Sequence, residues 1–538
     1  MRDEVTGDLD RRTFLQGAGG IGGLALLGSS GLLVACGRES SPASAGAAAT
    51  DTLRFAFLAD MQVPDPDIFY EGEGLVVTLS CYDNLLKYKP DSSEIEGMLA
   101  KSWEVSPDGL TYTFELRDDV TFHDGTKFDA ESMVSSFERR AEVNQGPAYM
   151  LANVESTSAP DATTFVIKLT TTLEPFLDYL ACPWAPKPVS PALIAEHDVG
   201  GDLAQEWLTT NDAGTGPFKI IEFVRGSHYT LEAYDGYWGT KSTFEQIRIE
   251  IIPDVTTQRL KLESGDLDIV TKGLPVADIE SFAADPAFAV TPKPAAMKIA
   301  LYFNPNKAPF DDRELRKAVN AALDREALVA PTYKDFGSVS TQFYPVGFLP
   351  DGVAPEDPEL DTETLTSMVA GLDDKTVDLA YDEQGGATDR RLAELIQAQL
   401  QAAGLEVTVR GIPTSQAFAM SETPEDQRPN LMVNVAGGDA LNPDTQTRIF
   451  FRTGAAPLNW FNYADPLIDV AMDEAAAQAD PAKAEEGYAE VAKLIIDQAW
   501  MVNIADIKDV IITRASVTNI VHDLAAGRFV RLNELKQS

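Results

Sequence analysis

The apolar positions of this chain recur with two periods that alternate along its length. Thr111-Tyr112-Thr113-Phe114-Glu115-Leu116-Arg117 switches between polar and apolar at every residue, which predicts a half-buried strand with Tyr112, Phe114 and Leu116 facing inward. Phe122-His123-Asp124-Gly125 follows, with the Asp-Gly pair of a tight turn. Asp129 then stands where a helix needs its cap, and Phe128 and Met133 are placed as a hydrophobic staple. A second helix start reads Phe310-Asp311-Asp312-Arg313-Glu314-Leu315, with Asp311 as the expected cap, Glu314 completing a capping box and Phe310 stapled to Leu315. Behind it Leu315, Ala318, Val319, Ala322 and Leu323 recur at helical spacing and predict one buried face. Near residue 388 the same spacing puts Leu392, Leu395, Ile396, Gln399 and Leu400 on one face, Gly404 ends the helix, and Leu405–Val409 alternates as a strand. Thr256–Glu263, Gly265 and Leu267–Val270 repeat the order helix, glycine, strand. Such units predict an α/β or mixed α+β fold with at least two sheets. A chain of 538 residues exceeds what one hydrophobic core supports, so two or more domains are expected.

The first 50 residues follow a different pattern and stand apart from the fold. Paired arginines in Asp10-Arg11-Arg12-Thr13-Phe14-Leu15-Gln16 precede a charge-free stretch from Gly17 to Ala35. This resembles a twin-arginine export signal over residues 1–35. A stretch of about 20 apolar residues could also span a bilayer, but Leu33-Val34-Ala35-Cys36 resembles a lipobox, in which the chain is cut before Cys36 and its thiol is lipidated. Residues 36–50 then read as the lipidated Cys and a flexible, small-residue tether. The expected location is extracytoplasmic, anchored to the outer face of the cell membrane.

Composition narrows the function. The formal net charge is −41, and only about −1 of it belongs to residues 1–35, so the folded body is strongly acidic. That argues against nucleic-acid binding, which needs clustered Lys and Arg, and suits a solvated, self-repelling surface. Beyond Cys36 only Cys81 and Cys182 remain; in an oxidising compartment they could pair as a disulfide or stay as buried thiols, and both readings stand. The four histidines, His123, His197, His228 and His522, are scattered without metal-ligand spacing, and no nucleophile elbow or phosphate loop is present. His123 and Asp124 read as turn residues ahead of a capped helix rather than as an acid–base pair. The expectation is a protein without cofactor, metal or catalysis, with an extracellular hydrolase as the remote alternative.

Five blocks together resemble one family. They are FHDGTKFDAESMVSSFER (122–139), GTGPF (214–218), YDGYWG (234–239), LESGDLDIV (262–270) and YFNPNKAPFDDRELRKAVNAALDREALV (302–329). In this order they resemble the extracellular solute-binding proteins of family 5, the dipeptide- and oligopeptide-binding type that serves ABC importers, over nearly the whole chain from about Thr52 to Leu535. The resemblance implies two lobes joined by a two-stranded hinge: lobe I over about 52–290 with a sub-domain at about 86–197, lobe II over about 295–504, and a C-terminal segment, 505–538, returning to lobe I. Pro292 and Pro294 would stiffen a hinge strand. It further implies a monomer that closes on a small ligand, a short peptide or else an oligosaccharide, metal chelate or opine-like solute, and hands it to permease subunits served by a separate ATPase. Val435–Asp444 resembles the lobe II segment whose Asp meets a peptide amine, which makes Asp439 the foremost candidate. The position three residues before it, often Trp in the family's peptide binders, is Ala436. A carboxylate-binding Arg has no clear counterpart, and Tyr381-Asp382-Glu383 offers acids instead. Tyr302, Phe303, Tyr344, Trp460 and Tyr463 are aromatic candidates for the cleft wall, and the loop bearing Met61 and Gln62 is expected to face the cleft.

Overall fold

A computed structural model describes residues 51–345, 348–349, 358–383, 386–455, 457–527 and 529–538. The export signal, the tether and the Cys36 lipidation site lie outside the described residues. The described body is mixed α/β and two-lobed.

Lobe I is built on a four-stranded sheet in the order Thr52–Phe57, Gln246–Ile251, His228–Ala233, Phe218–Val224, the first pair parallel and the others antiparallel. Its core joins Leu53, Phe55, Tyr229, Leu231 and Ile249 to Ile511, Val517, Leu532 and Leu535 from the far end of the chain. A second, antiparallel sheet holds Ala100–Val105, Thr111–Leu116, Thr164–Leu169 and Val154–Asp161. The alternation over Thr111–Leu116 appears as anticipated, with Tyr112, Phe114 and Leu116 buried against the helix Ala130–Val143. Asp129 caps that helix by accepting the N–H of Ser132, whose hydroxyl oxygen accepts the Asp129 N–H in return.

The largest sheet has seven strands, running Ile269–Val270, Met501–Arg514, Phe288–Phe303, Leu431–Gly437, Thr376–Asp382, Glu406–Ile412, with Gly337–Val339 added beside Met501–Arg514. The two-residue period of a strand gives this sheet two cores. Leu301 and Phe303 point to the face covered by Leu315, Val319, Leu392 and Ile396. Ala300 and Tyr302 point to the other, packed against Phe450, Trp460 and Tyr488. The helix Arg313–Ala322 is capped by Asp312, one residue later than expected, because the Asp312 carboxylate accepts the N–H of Glu314 at 2.8 Å. Glu314 therefore sits at the second helical position, too early to close a capping box. The helix Gly386–Ala402 buries Leu392, Ile396 and Leu400, and Gly404 turns the chain at φ 102° into the strand Glu406–Ile412.

The strands Phe288–Phe303 and Met501–Arg514 pair antiparallel from Phe288↔Arg514 at the lobe I end to Tyr302↔Met501 in lobe II. Their register shifts between Pro294 and Lys298, where the ladder lacks the N–H groups of Pro292 and Pro294. Cys81 and Cys182 are free and buried, which corrects the disulfide option: Cys81 belongs to the lobe I core and Cys182 to that of the second, antiparallel sheet. Burial pushes the Cys182 thiol up to about 12 and raises the Cys81 thiol well above its ordinary value. Among the described residues no helix is long and apolar enough to cross a membrane.

Candidate functional site

The chain between the first strand and residue 75 is an irregular loop held by buried charge. Arg139 and Arg140, adjacent on the helix Ala130–Val143, meet Asp65 and Asp67 of the loop: Arg139 donates to both Asp65 oxygens at 2.9 and 2.6 Å and to Asp67, and Arg140 donates to Asp67 at 2.8 Å. All four side chains are at most 4% exposed, so removing one partner would strand an unpaired charge in the core. Pinned in this way, the loop presents Tyr70 and Glu71 to the gap between the lobes.

Opposite them the strand Leu431–Gly437 ends in Gly437-Gly438, and Asp439 follows. A Cβ on Gly438 would come 2.2 Å from the Thr445 hydroxyl oxygen, and one on Gly437 2.8 Å from Met297, so only glycine lets the chain turn this closely onto the next helix. That helix, Pro443–Phe451, is capped by Asn442. The turn leaves Asp439 facing lobe I, where its Oδ2 accepts hydrogen bonds from Tyr70 and, at 2.5 Å, from Tyr149. Burial raises the Asp439 carboxyl to about 6, against the opposing pull of the Tyr149 and Tyr70 hydroxyls. Further bonds cross the gap nearby: Tyr179 donates to Asp444 at 2.7 Å, and the Asn442 amide donates to Glu174 and Asp178 at 3.1 and 3.2 Å. The lobes are therefore in contact, with Asp439 at their meeting point.

Behind this contact lies a cavity of about 240 Å³, partly open to solvent. Lobe I contributes Tyr70, Glu71, Trp184, Lys272 and Phe529; lobe II contributes Asp382, Asp389, Phe418, Asn434, Asp439, Phe450 and Trp460. Lys272 is ion-paired with Glu73, which also accepts the N–H of Leu58 at 2.5 Å. The Asp382 carboxylate accepts the Thr414 hydroxyl at 2.6 Å. Burial lifts the Glu71 carboxyl to about 7, although the Gln62 N–H lowers it. Mostly apolar walls, several of them aromatic, with a few fixed charges form a chamber that can bury a small amphipathic molecule and hold its charged ends.

Of the candidates named from the sequence, the structure brings Asp439 and Trp460 to this cavity. It moves the others elsewhere. Tyr302 is fully buried on the lobe II sheet and donates to the Val435 carbonyl at 3.0 Å; Phe303 faces the opposite core against Phe310. Tyr344 donates to the Tyr488 carbonyl at 2.9 Å, and Tyr463 to the carbonyls of Phe303 and Trp500 at 2.7 and 3.1 Å, so both are satisfied inside the lobe II core. Met61 packs into the lobe I core, and its N–H meets the Tyr229 hydroxyl. Gln62 shapes the loop, its amide oxygen accepting the Tyr70 N–H at 3.0 Å, but does not line the cavity. Tyr70, Tyr149, Trp184 and Lys272 were not anticipated. Of the acids in Tyr381-Asp382-Glu383, Asp382 faces the cavity. His123 is structural: its Nδ1 meets Asp212 and its Nε2 the Gly216 carbonyl at 2.9 Å.

Comparison with known proteins gives the setting. The chain is 34% identical over 292 residues to the probable D,D-dipeptide-binding periplasmic protein of Escherichia coli (strain K12), a match covering 54% of this chain and 56% of that one. It is 27% identical over 504 residues to the nickel-binding periplasmic protein of the same organism, covering 88% and 92%. Among solved structures, the ABC transporter-associated periplasmic binding protein DppA of Helicobacter pylori in complex with peptide STSA superposes with a TM-score of 0.79 at 23% identity, covering 90% of this chain and 98% of that one. The model of the bacterial extracellular solute-binding proteins, family 5 middle, matches residues 94–457. With that match, the two lobes on paired hinge strands and the cavity between them, the chain belongs to the bacterial extracellular solute-binding proteins of family 5.

Proposed function

We propose that this protein is the substrate-binding component of an ABC importer, taking a short peptide into the inter-lobe cavity by hinge closure and presenting the closed form to permease subunits that a separate ATPase drives. The observation that carries the reading is the buried Asp439 carboxylate, set where the two lobes meet and walled by aromatic side chains. A peptide amine buried there needs a fixed counter-charge, and Asp439 supplies one. Relatives named for dipeptide and peptide ligands support the same class. Lobe boundaries near residues 290 and 505 agree with the course of the two hinge strands, with the sub-domain at 86–197. Export through the twin-arginine signal and anchorage through a lipidated Cys36 complete the proposal.

The second reading keeps the mode of action and changes the guest to a non-peptide solute, such as a metal chelate. Ala436 in place of a Trp and the nickel-binding relative aligned over 88% of this chain favour it. A thermal-shift screen against dipeptides, tripeptides, oligosaccharides and nickel–histidine separates the two. Stabilisation by peptides alone supports the first reading. Stabilisation by a sugar or chelate alone overturns it.

A further inference from the structure

Glu71 follows Tyr70 on the cleft loop, so its Cα lies about 3.8 Å from that of the residue whose hydroxyl touches Asp439. It lines the same cavity, and its Oε1 accepts the Gln62 N–H. The charged groups that act on it are Glu73, Lys272 and Asp60. Lys272 is bound to Glu73, and Asp60 sits 4.0 Å from Arg225. The neighbouring cations thus each face another carboxylate. From lobe II, Asp382 and Asp389 line the cavity as well, and among the described residues Lys272 is the one basic side chain on the lining. Glu71 and Asp439 are both raised by burial, to about 7 and about 6, so a cation entering the cavity would draw protons off them.

An independent feature concerns neutral groups. Trp184 and Trp460 line the cavity from opposite lobes, Trp460 only 2% exposed, and among the described residues neither buried indole Nε1 has an acceptor. An indole N–H only donates, so a ligand carbonyl that reached either nitrogen would satisfy it. Aromatic walls, carbonyl-seeking donors and two separated carboxyls suit a peptide with a long apolar stem ending in a cation.

We propose that Glu71 is a specificity-determining residue that binds a second positive charge on the ligand, so that the cleft prefers short peptides with a basic side chain. This rests on the peptide reading of the site given above.

The test is calorimetric titration of the protein and of its Glu71→Gln variant with Lys-Ala, Ala-Lys and their norleucyl counterparts, which keep the stem and lack the ammonium. At least one lysyl peptide should bind about tenfold tighter than its norleucyl twin. In Glu71→Gln that ratio should fall to within about twofold, with an unchanged circular dichroism spectrum of the ligand-free variant as evidence that the fold is intact. Repeating the titration at pH 7 in phosphate and in Tris should show protons released on lysyl-peptide binding, and fewer in the variant. Equal lysyl and norleucyl affinities, or a ratio that survives in the variant, overturn the role of Glu71 and leave the peptide reading standing. Binding of none of the four peptides overturns both.

Discussion

Asp439 carries a charge in a place where charge is expensive, and the two tyrosines that share its Oδ2 set its properties. Burial raises the carboxyl to about 6, and each hydroxyl favours the ionised form. Asp439→Ala should weaken peptide binding by at least about tenfold in calorimetry, with an unchanged circular dichroism spectrum; unchanged affinity would remove Asp439 from the site. Binding of an amine needs the ionised carboxylate, so affinity should fall as pH drops through about 6. In Tyr149→Phe one stabilising hydroxyl is gone, and the fall should begin at a higher pH. Dissociation constants measured from pH 5 to 8 would show no shift if Tyr149 does not act on Asp439. At this scale the sequence was partly legible. Asp439 stood in a segment with a recognisable Gly-Gly turn before it, and Trp460 was one of several aromatics. Tyr302, Tyr344 and Tyr463 looked equivalent to Trp460 because an aromatic residue can fill a core or a cavity wall. Only their hydrogen bonds to main-chain carbonyls inside lobe II distinguish them. Tyr70 and Tyr149 lie 79 positions apart in the chain, and Asp439 is separated from them by |i−j| of 369 and 290, so no local pattern could link the three.

Two elements decide whether the cleft has its shape. The cleft loop depends on Arg139, and Arg139→Met should cost about 3–5 kcal/mol in urea unfolding, because Asp65 and Asp67 would remain buried with too little positive charge. The hinge carries a second charged cluster. His522, fully buried, sits 3.1 Å from Asp509 on one hinge strand and 3.1 Å from Asp91, while Lys293 on the other hinge strand holds Asp91 at 2.7 Å. Burial lowers the imidazole pKa, and the hydrogen bonds and charges of Asp509 and Asp91 more than offset this, leaving it above its ordinary value. A raised folded-state pKa means that the cluster contributes fully below the unfolded value of about 6.5 and is lost as pH rises through the folded value. The stability gap between the protein and His522→Gln should therefore be widest in acid and narrow toward alkaline pH. A gap independent of pH in urea titrations would show that His522 is not charged in the fold. Elements of this kind were well signalled where the pattern is local. The Thr111–Leu116 alternation and the Asp129 cap required no distant partner. The Asp312 cap shifted by one residue because two adjacent aspartates compete for one role, and geometry chose the one whose carboxylate reaches Glu314.

For the whole molecule, the seven-stranded sheet, the hinge pair and the smaller sheets build two bodies with a cavity between them, and the five sequence blocks indicated that arrangement because they are spread through both. A peptide that closes this cavity binds the folded state alone. At a hundredfold its dissociation constant it should add about 2.7 kcal/mol of stability, seen as a rise in melting temperature. A peptide of measured affinity that leaves the melting temperature unmoved would mean that it binds outside the fold's cooperative core. One further consequence follows from the lobe I core, where Leu53 and Phe55 pack with Leu532 and Leu535. A ribosome reading this message releases the beginning of that core long before its last residues exist. The half that bears Tyr70 therefore stays unfinished until Leu532 and Leu535 have joined it. Ending the chain at residue 526 removes Leu532 and Leu535 from that core, and should leave the half that bears Tyr70 protease-sensitive in limited proteolysis.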